Sequence, residues 1–237
     1  MAGQVALAGR SELAATVAPL TGPARDAVRE ATSRAEQRMV SLQLSAYRDR
    51  LPAREPSGRG RDRACDRASD RACDQRVTEG VPLIQSLIQS LLARGSVAEF
   101  LADDDLVAWL GVVLTHVRVR DEAWVRIDPD HPQPHIELWR EVVRRVEEPY
   151  VAGPACLLAY AAFVGGDGGL ANVALDRADQ ADPQYTMAGL LRDVMQAGLP
   201  PTAVRLRMTP EDLAEAWESG FHGEEEQEAR QLEDRAG

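Results

Sequence analysis

The chain has 237 residues, enough to bury a substantial core in one domain or two small ones. It is rich in alanine and leucine and holds only 5% aromatic residues, a composition that suits helices. A net charge of −11 excludes an extended nucleic-acid surface, which needs clustered positive charge, and suits a soluble cytoplasmic protein. All 27 basic residues are arginine, which reads as GC-rich coding rather than as a functional signature.

Cys65, Cys73 and Cys156 are an odd set without paired spacing, so no disulfide framework is expected. Met1–Leu20 has neither a basic start nor an unbroken apolar stretch and is not read as a secretory signal. The most apolar segments, Leu106–Leu114 and Ala155–Val164, fall short of the roughly 20 residues needed to cross a bilayer. They are expected as helices at the centre of a bundle, apolar on every side because they are surrounded.

In chain order, Ser11–Pro19 reads as a short helix capped by Ser11. Thr21-Gly22-Pro23 restarts the chain, and a helix follows from Ala24 to about Arg48. Its inner face carries Ala24, Val28, Ala31, Ala35, Met39 and Leu42. From Leu51 to Thr78 the pattern breaks at Pro52, Pro56, Gly58 and Gly60. A tandem Asp-Arg-Ala-Cys/Ser repeat then runs from Asp62 to Cys73. It has almost no side chain to bury, and its alternating charges nearly cancel, so it is expected as a disordered connector and not as a nucleic-acid arm.

Val81–Arg94 is strongly amphipathic, with Leu83, Ile84, Leu87, Ile88, Leu91 and Leu92 in one stripe. A core helix is the preferred reading and a partner-binding helix the alternative. Asp103 is placed as an N-cap, with Asp104 and Asp105 in the first turn. The chain restarts at Arg120-Asp121-Glu122-Ala123-Trp124, and Asp128–Pro134 reads as a proline-rich turn. Ile136–Val146 is helical, with Ile136, Trp139, Val142, Val143 and Val146 on one face.

Leu157–Tyr185 reads as a helical hairpin broken at Gly165–Gly169 and stopped at Asp182-Pro183. Two further helices are expected, Thr186–Ala197 and one from Thr209-Pro210 to near Gly220, followed by an acidic tail. The resulting organisation is 1–50 as an N-terminal helical segment, 51–79 as the low-complexity connector, 80–220 as a helical bundle and 221–237 as the tail. The class is all-α: an irregular bundle with no set of alternating strand patterns.

Few patterns offer chemistry. Gly166–Ala171 fits the outline G-x-G-x-x-A, but a dinucleotide fingerprint needs a strand before it, and Leu157–Ala162 is a better helix. The glycines are instead expected to form an inter-helix turn, with Gly165 or Gly166 as a left-handed cap and Asp167 capping the next helix. His131 and His135 with Asp128 and Asp130 form the one grouping of potential metal ligands; histidines four apart would share a helical face, but Pro132 and Pro134 are read as forbidding a helix here, so a surface turn is preferred. No nucleophile elbow, P-loop, H-E-x-x-H or C-x-x-C occurs. No catalytic residue, metal or cofactor is therefore predicted. Arg120, Asp121, Arg140 and Arg144, beside Trp124 and Trp139, form the one polar group that stands out. They serve either as a buried ion-pair network or as an anion site between helices.

These residues also carry a resemblance. Arg120-Asp121-x-Ala123-Trp124, Trp139-Arg140-x-Val142-Val143-Arg144, LLAYAAFVGGDGGLANVALDRA and Asp182-Pro183-x-Tyr185-x-Met187-Ala188-x-Leu190-Leu191 resemble an actinobacterial family catalogued as domain of unknown function number 4192. The likeness covers about Leu106–Pro201. Gly9-Arg10, Glu12-Leu13-Ala14 and Thr21–Arg25, within Val5–Leu42, are similar to the family's middle stretch. The resemblance implies a GC-rich host and no established activity. It also implies an alpha/beta portion upstream, so that this chain corresponds to the later, helical part of a member. The hairpin is similar to a single tetratricopeptide unit, although stable stacking takes at least about three.

The functional expectation is a cytoplasmic, non-catalytic interaction or regulatory module. It would meet a protein partner or a second copy of itself through apolar helix faces, with no nucleic-acid or membrane partner. The alternative is the helical half of an enzyme or ligand-binding protein whose active residues lie upstream.

Overall fold

A computed structural model describes residues 9–50, 75–94 and 98–219. The Asp/Arg/Ala repeat, the acidic tail and the cysteines Cys65 and Cys73 lie outside the described residues. The described residues are helical, with no strand among them: α1 (Arg10–Thr16), α2 (Pro23–Arg50), α3 (Gln75–Arg94), α4 (Ala98–Leu101), α5 (Asp104–Val113), α6 (Val117–Val125), α7 (Pro132–Arg145), α8 (Ala152–Val164), α9 (Gly168–Ala181), α10 (Thr186–Gln196), a 3₁₀ turn (Pro201–Ala203) and α11 (210–219). No described helix is long and apolar enough to cross a membrane.

The core is organised around α8, in which Phe163 alone escapes full burial. Its small residues, Gly153, Ala155, Ala159, Ala161 and Ala162, let α7 and α9 approach from two sides and α6 and α10 from others. A second layer has α2 lying across α5, and α3 packed against α6, α5 and α2. The layers meet where α5 touches α7 and α6 touches α8, so one continuous apolar cluster runs from Val17 to Leu191. The inner face expected of α2 holds for Val28, Ala31, Ala35 and Met39, which are buried, whereas Ala24 is exposed. The α7 face of Ile136, Trp139, Val142, Val143 and Val146 is buried throughout.

Side-chain caps set several helix starts. The Asp103 carboxylate accepts from Asp105 N–H at 2.9 Å and Leu106 N–H at 3.2 Å. Asp167 accepts from Leu170 N–H at 2.9 Å, and Gly166 takes a φ of +84°, the left-handed turn expected between α8 and α9. A helix rather than a strand precedes these glycines, which removes the dinucleotide reading. Thr209 and Asp212 cap α11 reciprocally.

The structure differs from the sequence-based expectation at several helix starts. Gly9, not Ser11, is the N-cap of α1, and its N–H donates to the Glu12 carboxylate at 3.1 Å. Helix α3 starts at Gln75, six residues before Val81 and within the stretch assigned to the connector. It passes through Pro82, which is exposed. Helix α6 starts at Val117, not Arg120, because the His116 Nδ1 caps it by accepting from Arg118 N–H at 3.1 Å. Helix α7 starts at Pro132, although two prolines there argued for a turn. Both occupy the first three helical positions, whose N–H groups have no partner inside a helix, so no bond is lost.

Candidate functional site

The four charges singled out in the sequence do not share one network. Arg120 folds onto its neighbour Asp121, donating from Nε at 2.9 Å and Nη2 at 2.6 Å. Its Nη1 reaches the Tyr185 hydroxyl at 3.5 Å, so this pair ties α6 to the corner before α10. Burial raises the Tyr185 phenol above its usual range, with Arg120 pulling the other way. Arg144 lies at the end of α7. Its Nη1 donates to Glu141 at 2.8 Å, and its carbonyl accepts from Leu20 N–H at 2.9 Å. Arg140 is half-buried and has no ion pair or hydrogen bond among the described residues. The reason is packing: Trp139 and Val143 fill the inner face of α7, which leaves positions 140 and 144 on its flanks.

A buried ion network does exist, one residue away from the expected one. Glu122 is 1% exposed. It accepts from Arg118 Nη1 at 2.5 Å, from Arg126 Nη2 at 2.6 Å and Nε at 2.9 Å, and from Gln85 of α3 at 3.1 Å. Burial alone would raise its pKa; the donated hydrogen bonds outweigh burial and hold the carboxyl below its ordinary value of 4.5. The signal was present as Arg-x-x-x-Glu-x-x-x-Arg, the spacing that stacks side chains along one helix face.

The histidine grouping divides. His131 is exposed and pairs with Asp128 at 2.9 Å. His135 is fully buried, and its Nε2 accepts from Asp128 N–H at 3.2 Å. Burial pushes it down to about 4, with Asp128 opposing, so the ring is neutral at pH 7. Burial pushes the Cys156 thiol up to about 12. Among the described residues no group of three or more His, Cys, Asp or Glu is placed to hold a metal.

Sequence reasoning also missed a cleft of about 330 Å3 between α1 and α9. Arg10, Asp176, Arg177, Glu148 and Gln180 line it together with Ala14, Val17, Ala18 and Val173. Asp176 pairs with Arg10 and, at 3.1 Å, with Arg192; Arg177 pairs with Glu148 at 2.6 Å. These partners come from distant parts of the chain, so no local spacing announces them.

The family model described as "Domain of unknown function (DUF4192)" matches residues 1–202. The chain belongs to this family. The match takes in every helix from α1 to α10, and so both the Glu122 network and the α1–α9 cleft are parts of the DUF4192 fold as this chain builds it. No match was found among curated proteins or among solved structures.

Proposed function

We propose that this DUF4192 chain is a non-catalytic interaction or regulatory module acting in the cytoplasm of an actinobacterial cell. The observation that carries this reading is an uncovered apolar line on the second half of α2. Val40 and Leu44 are each 54% exposed and Tyr47 is 62% exposed. They sit at i, i+4 and i+7, about a third of a turn from the buried face, the layout by which one helix offers itself to another. Leu92 of α3 adds a further exposed apolar side chain. The partner is a protein helix or a second copy of the chain. The net charge of −11 supports the exclusion of nucleic acid and the cytoplasmic setting, and the lysine-free composition supports a GC-rich host.

The buried ionisable groups support the non-catalytic part. Proton transfer at neutral pH favours groups poised near 7. His135 is held near 4, the Cys156 thiol near 12, and Glu122 is bridged by two arginines. A ligand-binding role is the second reading, favoured by the α1–α9 cleft.

Light scattering after size exclusion tests the proposal, combined with a photo-crosslinker at the neighbouring exposed position 43. Concentration-dependent mass above monomer, or a specific crosslink from that position, is expected; either should disappear in Leu44→Ser/Tyr47→Ser. A chain that stays monomeric and uncrosslinked would refute the interaction surface. Turnover of a metabolite panel would refute the absence of catalysis.

A further inference from the structure

The α1–α9 cleft has two kinds of wall. Helix α9 contributes Val173, Asp176, Arg177 and Gln180, spaced i, i+3, i+4 and i+7, so one helix face supplies both polar and apolar lining. Ala14, Val17 and Ala18 complete the apolar side. The volume, about 330 Å3, sits at the small end of the range of about 300–1,000 Å3 that holds small molecules.

Arg177 is the member that needs explaining. Its side chain is buried, with the whole residue 8% exposed, and a buried guanidinium is costly unless its donors are met. Nη1 pairs with Glu148 Oε1, but Nε has no partner among the described residues. Glu148 is itself half-exposed and joins that pair through one oxygen. Asp176 differs, because one oxygen meets Arg10 and the other Arg192. The cleft therefore combines a buried, under-used cation, a half-exposed carboxylate and an aliphatic wall.

We propose that this cleft binds a small zwitterion with an aliphatic side chain, a free α-amino acid of about leucine size. Its carboxylate meets the guanidinium of Arg177, with the exposed Arg10 closing over it, because planar guanidinium groups pair with carboxylates through paired hydrogen bonds. Its ammonium group meets Glu148. Its side chain lies on Val17, Ala18 and Val173. A dianion would place like charge beside Glu148 and Asp176, and a wholly apolar ligand would leave Arg177 unmet. The proposal shares no residue with the α2 surface and stands or falls separately from it.

The test is calorimetric titration of the full chain with L-alanine, L-valine and L-leucine. Two truncated forms of leucine serve as controls: 4-methylpentanoate, which lacks the ammonium, and isopentylamine, which lacks the carboxylate. Saturable leucine binding is expected, with each truncated form at least about tenfold weaker, equivalent to about 1.4 kcal/mol. Ala18 is exposed, so Ala18→Trp should fill the cleft and abolish binding without changing the melting temperature. Glu148→Gln should erase the preference for leucine over 4-methylpentanoate. Absence of saturable binding by all three amino acids, equal binding of the truncated forms, or binding unchanged in a folded Ala18→Trp protein would each overturn the proposal.

Discussion

Gly80 of α3 faces Val113 of α5 and Val119 of α6, both fully buried. A Cβ there would sit 2.8 Å from both Val119 methyls and 2.9 Å from the Val113 Cβ. Those atoms belong to short, packed side chains that cannot swing aside. Gly80→Ala is therefore expected to destabilise by about 1–3 kcal/mol, overriding the gain of about 1 kcal/mol that alanine brings to a helix interior. Gly189 of α10 is the matched control, being helical, exposed and open where a Cβ would go. Gly189→Ala should stabilise by about 0.5–1 kcal/mol. The urea midpoints of the two variants should move in opposite directions. The sequence reading places Gly80 just before the amphipathic stretch Val81–Arg94 and Gly189 inside the helix expected over Thr186–Ala197, and neither placement ranks them.

At the scale of elements, α6 is held to α3 through Glu122 and Gln85. Glu122→Gln leaves Arg118 and Arg126 facing a neutral amide, and removing one member of a buried charge set costs about 3–5 kcal/mol. A loss at the lower end, about 3 kcal/mol, is expected in guanidinium unfolding, because Arg126 retains access to water. Glu122→Leu combined with Arg118→Met should cost less than Glu122→Gln alone. The double variant replaces the buried pair with apolar side chains, and the cation that loses its partner is then the more accessible Arg126. The candidate site was only partly legible for a related reason. The spacing of residues 118, 122 and 126 is visible in the sequence, but so is the run of charges at 120, 121, 140 and 144. Which of these charges meet depends on how α6 and α7 rotate against the helices around them, and a single helix does not specify that rotation.

For the whole molecule, burial of neutral His135 links stability to pH. Its folded value of about 4 lies below the ordinary 6.5, so the unfolded chain binds the extra proton first. The contribution is fully present above pH 6.5 and is lost as pH falls from 6.5 toward 4. At about 1.4 kcal/mol per pH unit it amounts to about 3 kcal/mol by pH 4. Melting temperatures of the wild-type chain should drop across that window, and His135→Gln should flatten the drop while lowering stability at pH 7. Glu122 acts in the same sense but lower: with its pKa depressed below 4.5, its contribution is lost only as pH falls beneath that value.

The helical class, the inner stripes of α2 and α7, the Asp103 and Asp167 caps and a left-handed glycine at 165 or 166 were all readable from the chain, as was membership of the family. Each of those structural features is governed by residues within about two helical turns, where the period of 3.6 and the unsatisfied groups at helix ends act. The early start of α3, the burial of His135, the pairing of Glu122 with Gln85 and the cleft closed by Arg10 and Asp176, 166 residues apart, came only with the tertiary structure. Packing decides them, because the burial of a polar group and the identity of its partner depend on which helices surround it, and those helices are remote in sequence.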